Sequence, residues 1–205
     1  MEIIRAGMDD TNMFSKEQLA HGACCFYTAD KSIRYYFEIQ GHEAILYAYE
    51  QKYINEVIDE FLFYSNFVTC IKHTNGHVLK QRDAIKLEPF AILKIQPSQF
   101  YINEQKLINC KSWIKSQEDI RIPVATIDGK VVSLDGHTRL RAALDLGYTH
   151  AYIYPDDCGD YTAAFVNEAI NRNIFGIFDM AILPNDEYKV RWDKFCDYFL
   201  ASCTK

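Results

Sequence analysis

A chain of 205 residues, 49% hydrophobic and 24% charged, carries enough apolar material for one or two packed domains and is too apolar to be disordered. Its formal net charge of −6 argues against a surface built to grip duplex DNA, and no apolar run is long enough to span a bilayer, so neither DNA nor membrane is the expected partner. No basic-then-apolar leader stands at Met1 and the seven cysteines are odd in number and scattered, so reduced thiols and a cytoplasmic setting are expected.

Residues 1–13 read as a strand followed by a loop, and 14–21 as a short helix with Ser15 as its cap. Residues 22–27, 33–39 and 43–49 read as three strands of an antiparallel meander rich in Tyr and Phe, turning at Asp30-Lys31 and Gln40-Gly41-His42. In 53–64, Ile54, Val57, Ile58, Phe61 and Leu62 recur at the offsets of one helix face. Asn75-Gly76, between strands 67–73 and 77–81, predicts a type I′ hairpin. Cys70, His73 and His77 imitate metal-ligand spacing, but residues three apart on a strand point to opposite faces, so no transition metal is expected there. The charged stretch 80–87 reads as the linker between two units.

The second unit opens with strand 90–95, ended by Pro97. Residues 104–115 form a helix with Leu107, Cys110 and Ile114 on one face and Trp113 beside them. Strands 122–127 and 130–134 join through Asp128-Gly129, another hairpin signal. Strand 150–154 leads to an acidic loop at Asp156, Asp157 and Asp160. Helices 161–171 and 185–202 close the chain, the second behind Pro184 and capped by Asn185 or Asp186. The expected fold class is α+β: a small antiparallel sheet with one helix over 1–85, then an α+β domain over 88–205 with two C-terminal helices.

The chain is organised around Val131-Val132-Ser133-Leu134-Asp135-Gly136-His137-Thr138-Arg139 and the helix that follows to Gly147. A buried strand meets a tight polar turn and a short amphipathic helix. Arg139 falls in the first helical turn, where free N–H groups already make the potential positive, and a cation there is unfavourable unless an anion binds. Gly136 permits close backbone approach, and His137, Thr138 and Arg139 can all donate hydrogen bonds, so the turn is a phosphate-cradle candidate. The plainer reading stands beside it: Asp135 or Thr138 as N-cap, His137 as a solvated turn residue, Arg139 paired with a nearby carboxylate.

Asp135-Gly136-His137-Thr138-Arg139 ahead of Leu140-Arg141-Ala142-Ala143 resembles the signature of the ParB/sulfiredoxin superfamily. Lys94-Ile95-Gln96-Pro97-Ser98-Gln99-Phe100, Glu104-Gln105-Lys106-Leu107 and Ile122-Pro123-Val124 are similar to its entry segment and the strand after it, so the resemblance runs over residues 90–156. The Asp-Gly-His-x-Arg form most resembles the free serine kinases, which phosphorylate the hydroxyl of L-serine. The resemblance implies that the turn, Gly136, His137, Thr138 and Arg139, holds the phosphates of ATP or ADP, with Lys106 and Asn109 of helix 104–115 adding contacts. Phosphoryl transfer to a hydroxyl also calls for Mg2+ and a proton acceptor, and charge assigns Asp135 as ligand of the ion or, with Glu104, as acceptor of the hydroxyl proton, with His137 against the transferring group or the acceptor. The plain role for Lys106 is a solvated lysine, and for Asp135 a helix cap.

Three departures from the superfamily shape the expectation. Serine-kinase relatives carry a Glu just after the proline of the entry segment, whereas Pro97 is followed by Ser98-Gln99. Sulfiredoxins carry a Cys in the turn, and none stands here. The partition proteins continue into a DNA-gripping helix-turn-helix domain, whereas here Trp192, Phe195, Tyr198 and Phe199 form a packing stripe. The expected function is nucleotide-dependent phosphotransfer to a small hydroxylated metabolite, L-serine first. The alternatives are a nucleotide-binding regulatory module without chemistry and, behind it, a ParB-like DNA-associated protein. Residues 1–85 would supply part of the substrate pocket or a homodimer surface.

Overall fold

Strand patterns with one apolar and one mixed face build the first unit. The structure, a computed structural model, describes residues 1–203, which divide after Lys86 into two units. Strand β1 (Ile3–Arg5), helix α1 (Lys16–Ala20) and strands β2 (Cys25–Thr28), β3 (Arg34–Gln40) and β4 (Glu43–Ala48) lead into helix α2 (Ile54–Tyr64), followed by β5 (Cys70–His73) and β6 (Val78–Gln81). The six strands form one sheet in sequence order. All neighbours are antiparallel except β4 and β5. The parallel pair corrects the all-antiparallel expectation: α2 carries the chain back across the sheet before β5 begins, so β5 runs the same way as β4.

Alternation in β3 sends Tyr35 and Phe37 to one face and Arg34, Tyr36 and Glu38 to the other. The first face packs on Val57, Ile58, Phe61 and Leu62 of α2. Phe37 stacks on Phe61 at 3.9 Å between centroids, and Phe26 meets both rings edge-on. The other face is partly covered by Phe14 and Leu19. Ser15 caps α1 as expected, in a capping box with Gln18. Asn75-Gly76 does not form a type I′ turn. Only Gly76 has positive φ there, and His73 pairs with His77 across a three-residue loop with glycine at its left-handed position. The linker also starts later than expected, since β6 reaches Gln81 and Arg82 is fixed by its bond to Asn66 Oδ1 at 2.7 Å.

In the second unit, β7 (Glu88–Ala91) is followed by a 3-10 turn at Ile92–Lys94, so the expected strand 90–95 is broken. Next come β8 (Gln96–Pro97), β9 (Tyr101–Asn103), α3 (Glu104–Trp113), β10 (Arg121–Ile127), β11 (Lys130–Ser133), α4 (His137–Asp145), β12 (His150–Pro155), α5 (Thr162–Asn171) and β13 (Ala181–Leu183). Pro97 lies on a sheet edge, the place that tolerates a missing N–H, because β8 runs parallel to β11 at the end of the order β7-β12-β10-β11-β8. Asp128 and Gly129 both have positive φ, so the β10–β11 turn is type I′ as read from the sequence. A second, two-stranded parallel sheet pairs β9 with β13.

The C-terminal helix is not uniform. It runs as α6 (Asn185–Tyr188), a wider π turn over Lys189–Asp193, and α7 (Lys194–Cys203). Pro184 is its N-cap, with no side-chain capping bond, in place of the expected Asn185 or Asp186. The Asn185 amide oxygen instead accepts from Asn103 Nδ2 at 2.9 Å. Trp192, Phe195 and Phe199 form an aromatic stack with Phe100 and Phe165, and the Arg172 guanidinium lies 4.6 Å from the Phe100 centroid. Among the described residues no helix is long and apolar enough to cross a membrane.

Candidate functional site

The site is built on the crossing from β11 to α4. Leu134 N–H donates to Pro123 O at 3.0 Å, holding the chain on the sheet past the last residue of β11. Asp135 is exposed. Gly136 then turns into the left-handed region at φ 78° and caps α4 without a side-chain bond, which corrects Asp135 and Thr138 as cap candidates. A Cβ on Gly136 would lie 2.7 Å from Ile122 Cδ1, so both backbone angle and space demand glycine. The first helical bond is Leu140 N–H to Gly136 O at 2.8 Å. The N–H groups of His137, Thr138 and Arg139 therefore lie ahead of the helix's own acceptors.

His137 is not a solvated turn residue. It is 4% exposed, and its Nε2 accepts from the Ser98 N–H at 3.1 Å. Ser98 Oγ donates to Ser133 O at 2.8 Å, so the segment after Pro97 is tied to both ends of the turn. Burial pushes the His137 imidazole down to about 4, with the Asp135 charge opposing. Near neutral pH the ring is therefore uncharged. Accepting at Nε2 places its proton on Nδ1. His137 acts through Ser98, as a positioning residue.

Arg139 is half-buried and folds back beneath the turn. Its Nη1 donates to the Arg121 carbonyl, and its guanidinium lies 5.7 Å from the Trp113 ring centroid. The partner is thus a backbone carbonyl, not the carboxylate considered from the sequence. The Arg139 Nε atom is buried without a hydrogen-bond partner. Arg121 is itself buried, and its guanidinium is pulled down by burial, with Arg139 adding and Asp119 opposing. Burial raises the Tyr154 phenol far above its ordinary range, while the cations Arg139 and Arg121 oppose and Asp156 and Asp135 add. Two guanidinium groups therefore share a small, poorly solvated volume with the exposed Asp135 at its edge.

Helix α3 brings a third cation toward this ground. Burial pushes the Cys110 thiol up to about 11, against the charges of Arg139 and Lys106, and Asp135 adds to the rise. The exposed Lys106 also leans toward the C-terminal helix. Its Nζ is 5.4 Å from the Tyr188 ring, and it opposes the burial that raises the Asp193 carboxyl. Asn103 caps α3 through Oδ1, which accepts from the Lys106 N–H at 2.9 Å. Asn109 accepts from Gln105 Nε2 at 3.0 Å, and Glu104 is exposed in the first turn of the same helix. Gln99 Nε2 is spent on Tyr101 O at 2.6 Å and on the Tyr188 hydroxyl at 2.8 Å.

The arrangement thus joins Asp135, Gly136, Thr138 and Arg139 at the start of α4 and turns His137 inward, while the contacts of Lys106 run to Tyr188 and Asp193 of the C-terminal helix. Arg121, Tyr154, Trp113 and Ser98 were not read as site residues from the sequence. The only signal for Ser98 was its place after Pro97, and Arg121 sits at the head of an apolar strand with nothing to mark it. Among the described residues no group of three His, Cys, Asp or Glu side chains is placed to hold a metal ion. Asp135 with phosphate oxygens and water is the kind of set Mg2+ accepts, since it keeps several waters and uses one or two carboxylates.

No family model and no curated protein matches the chain. Among solved structures, the crystal structure of protein Atu1540 from Agrobacterium tumefaciens is similar over 46% of this chain and 61% of its own, at 16% identity and a TM-score of 0.34. A likeness of that size carries no argument about fold or function.

Proposed function

We propose that the second unit binds the phosphates of ATP or ADP at the N-terminus of α4 and passes a phosphoryl group to a small hydroxylated metabolite such as L-serine. The observation that carries this is the start of α4: Gly136 at positive φ and close against the Ile122 side chain, N–H groups of three successive residues ahead of the first helical bond, and a buried Arg139 Nε without a partner. The resemblance of Asp135–Arg139 to the turn of the free serine kinases supports the same reading. Bound nucleotide would supply the phosphoryl group, and Mg2+ would neutralise its charge.

The chain's own residues divide the remaining work. The backbone N–H groups of the turn and Thr138 hold phosphate oxygens, while Arg139 and Lys106 supply positive charge. Asp135, exposed beside the turn, accepts the hydroxyl proton or holds the metal ion, with Glu104 the other carboxylate offered by α3. His137 fixes Ser98 and so sets the floor of the site. The test is incubation of the protein with labelled ATP or ADP, Mg2+ and L-serine, followed by analysis for a phosphorylated product. Asp135→Asn is expected to keep nucleotide affinity while turnover falls by about 10²-fold, the scale of a lost acid–base group.

A second reading is a nucleotide-binding regulatory module. It is favoured by one observation: Gln99 is engaged with Tyr101 and Tyr188 and His137 is sealed against Ser98, so fewer groups remain for chemistry. Nucleotide binding without product from any pool of small alcohols would establish this reading over the first.

A further inference from the structure

The first unit carries a cavity of about 540 Å3 on the sheet face that α1 leaves open. That volume falls within the range of small-molecule sites, roughly 300–1,000 Å3. Its floor is Tyr36 of β3 and Tyr47 of β4, directly paired across the strands, with ring centroids 5.7 Å apart and planes tilted by 36°. Phe14 and Gln18 stand on the α1 side. Two charged residues flank Tyr36 on the same face of β3, Arg34 and Glu38, with Cα atoms about 13 Å apart by strand geometry.

Neither charge is used up. Arg34 is exposed and donates one N–H, from Nη1, to Met13 O at 2.8 Å, out of the five a guanidinium carries. Glu38 is half-buried and accepts from the Tyr47 hydroxyl at 2.8 Å and from Gln40 Nε2 at 3.0 Å, half of what a carboxylate can take. An aromatic floor with a cation at one end and a carboxylate at the other selects a shape and a polarity together.

We infer that this cavity is a second ligand site, for a planar aromatic small molecule that carries an anionic group at one end and an amine or amide donor at the other. The ring lies on Tyr36 and Tyr47. The anion pairs with Arg34, and the donor reaches Glu38. The anionic group is a phosphate or a carboxylate, and two probes separate them: AMP and 4-aminobenzoate.

The experiment is calorimetric titration of each probe into the full chain, into Arg34→Gln and Glu38→Gln, and into Arg139→Ala in the other unit. At least one probe is expected to saturate. Its affinity should fall by about tenfold in Arg34→Gln and in Glu38→Gln, the scale of one charge-assisted contact, and the fall should persist when Arg139→Ala is added to remove phosphate binding at the α4 turn. Saturation by AMP identifies a phosphate-bearing ligand, and by 4-aminobenzoate a carboxylate-bearing one. Should Arg34→Gln unfold for want of its Met13 contact, Glu38→Gln alone decides. The inference is overturned if neither probe saturates below about 10 mM, where binding is worth less than roughly 3 kcal/mol. It is overturned equally if affinity is indifferent to Arg34 and Glu38, or falls only in Arg139→Ala.

Discussion

Replacing Gly136 by Ala separates two costs that the turn combines. Gly136 has φ 78°, and Ala in the left-handed region costs about 1–2 kcal/mol. The added Cβ would also lie 2.7 Å from Ile122 Cδ1, and Ile122 is fully buried in the core of the second unit. Overpacking a filled core costs about 1–3 kcal/mol more. The sum is about 2–5 kcal/mol. Gly147, at φ 90° in the same unit, supplies the control, because nothing lies within 4 Å of its added Cβ. Gly147→Ala should therefore cost only the backbone share, about 1–2 kcal/mol. The assay is hydrogen exchange at the most protected amides of β10 and α4. There each 1.4 kcal/mol appears as about a tenfold faster rate when exchange follows global opening. Gly136→Ala should accelerate these amides by about 30- to 3,000-fold and Gly147→Ala by about 5- to 30-fold. Equal acceleration by the two variants would refute the claim that space, and not only backbone angle, demands glycine at 136.

Other consequences are as direct. Because the folded-state His137 lies near 4 and the ordinary value is 6.5, the neutral ring's contribution is fully present above pH 6.5 and is lost as pH falls toward 4. That loss is about 3 kcal/mol, and His137→Gln should flatten this limb of the stability–pH curve measured by urea denaturation. Asn103→Ala removes the α3 cap and strands the Asn185 amide. About 2 kcal/mol should be lost, seen as a lower urea midpoint with an unchanged slope. Arg139→Ala should weaken ATP or ADP binding by about 1.5–3 kcal/mol in calorimetry, and equal affinity in variant and parent would exclude the turn as the nucleotide site.

Local rules made part of this molecule readable before its structure. Asp128-Gly129 announces positive φ, and the structure has it at both residues. The apolar offsets of α2 leave little choice but a helix packed on a sheet. Rules of that kind end where pairing becomes non-local. β9 and β13 are three residues each and some eighty apart, so neither carries a pattern of its own. The direction of β5 depends on where α2 returns the chain, which periodicity does not record. Asn75-Gly76 has the right letters for type I′, yet a three-residue loop formed because the bulge between Ile71 and Lys72 shifts the register. At the site, a polar His137 in a polar turn looks solvated until Ser98, thirty-nine positions earlier, is seen beneath it.

The placement of aromatic side chains has an optical consequence. Both tryptophans, Trp113 and Trp192, belong to the second unit, whereas the aromatic residues of the first are tyrosines and phenylalanines. Excitation at the red edge of the protein absorption band therefore addresses one half of the chain and leaves the other dark. Within that half the two indoles occupy different surroundings, Trp192 inside the aromatic stack with Phe100, Phe165 and Phe195, and Trp113 beneath the Arg139 guanidinium. A change at the head of α4 that moves Arg139 alters the charge over Trp113, so the emission colour of this indole is a built-in gauge of that turn.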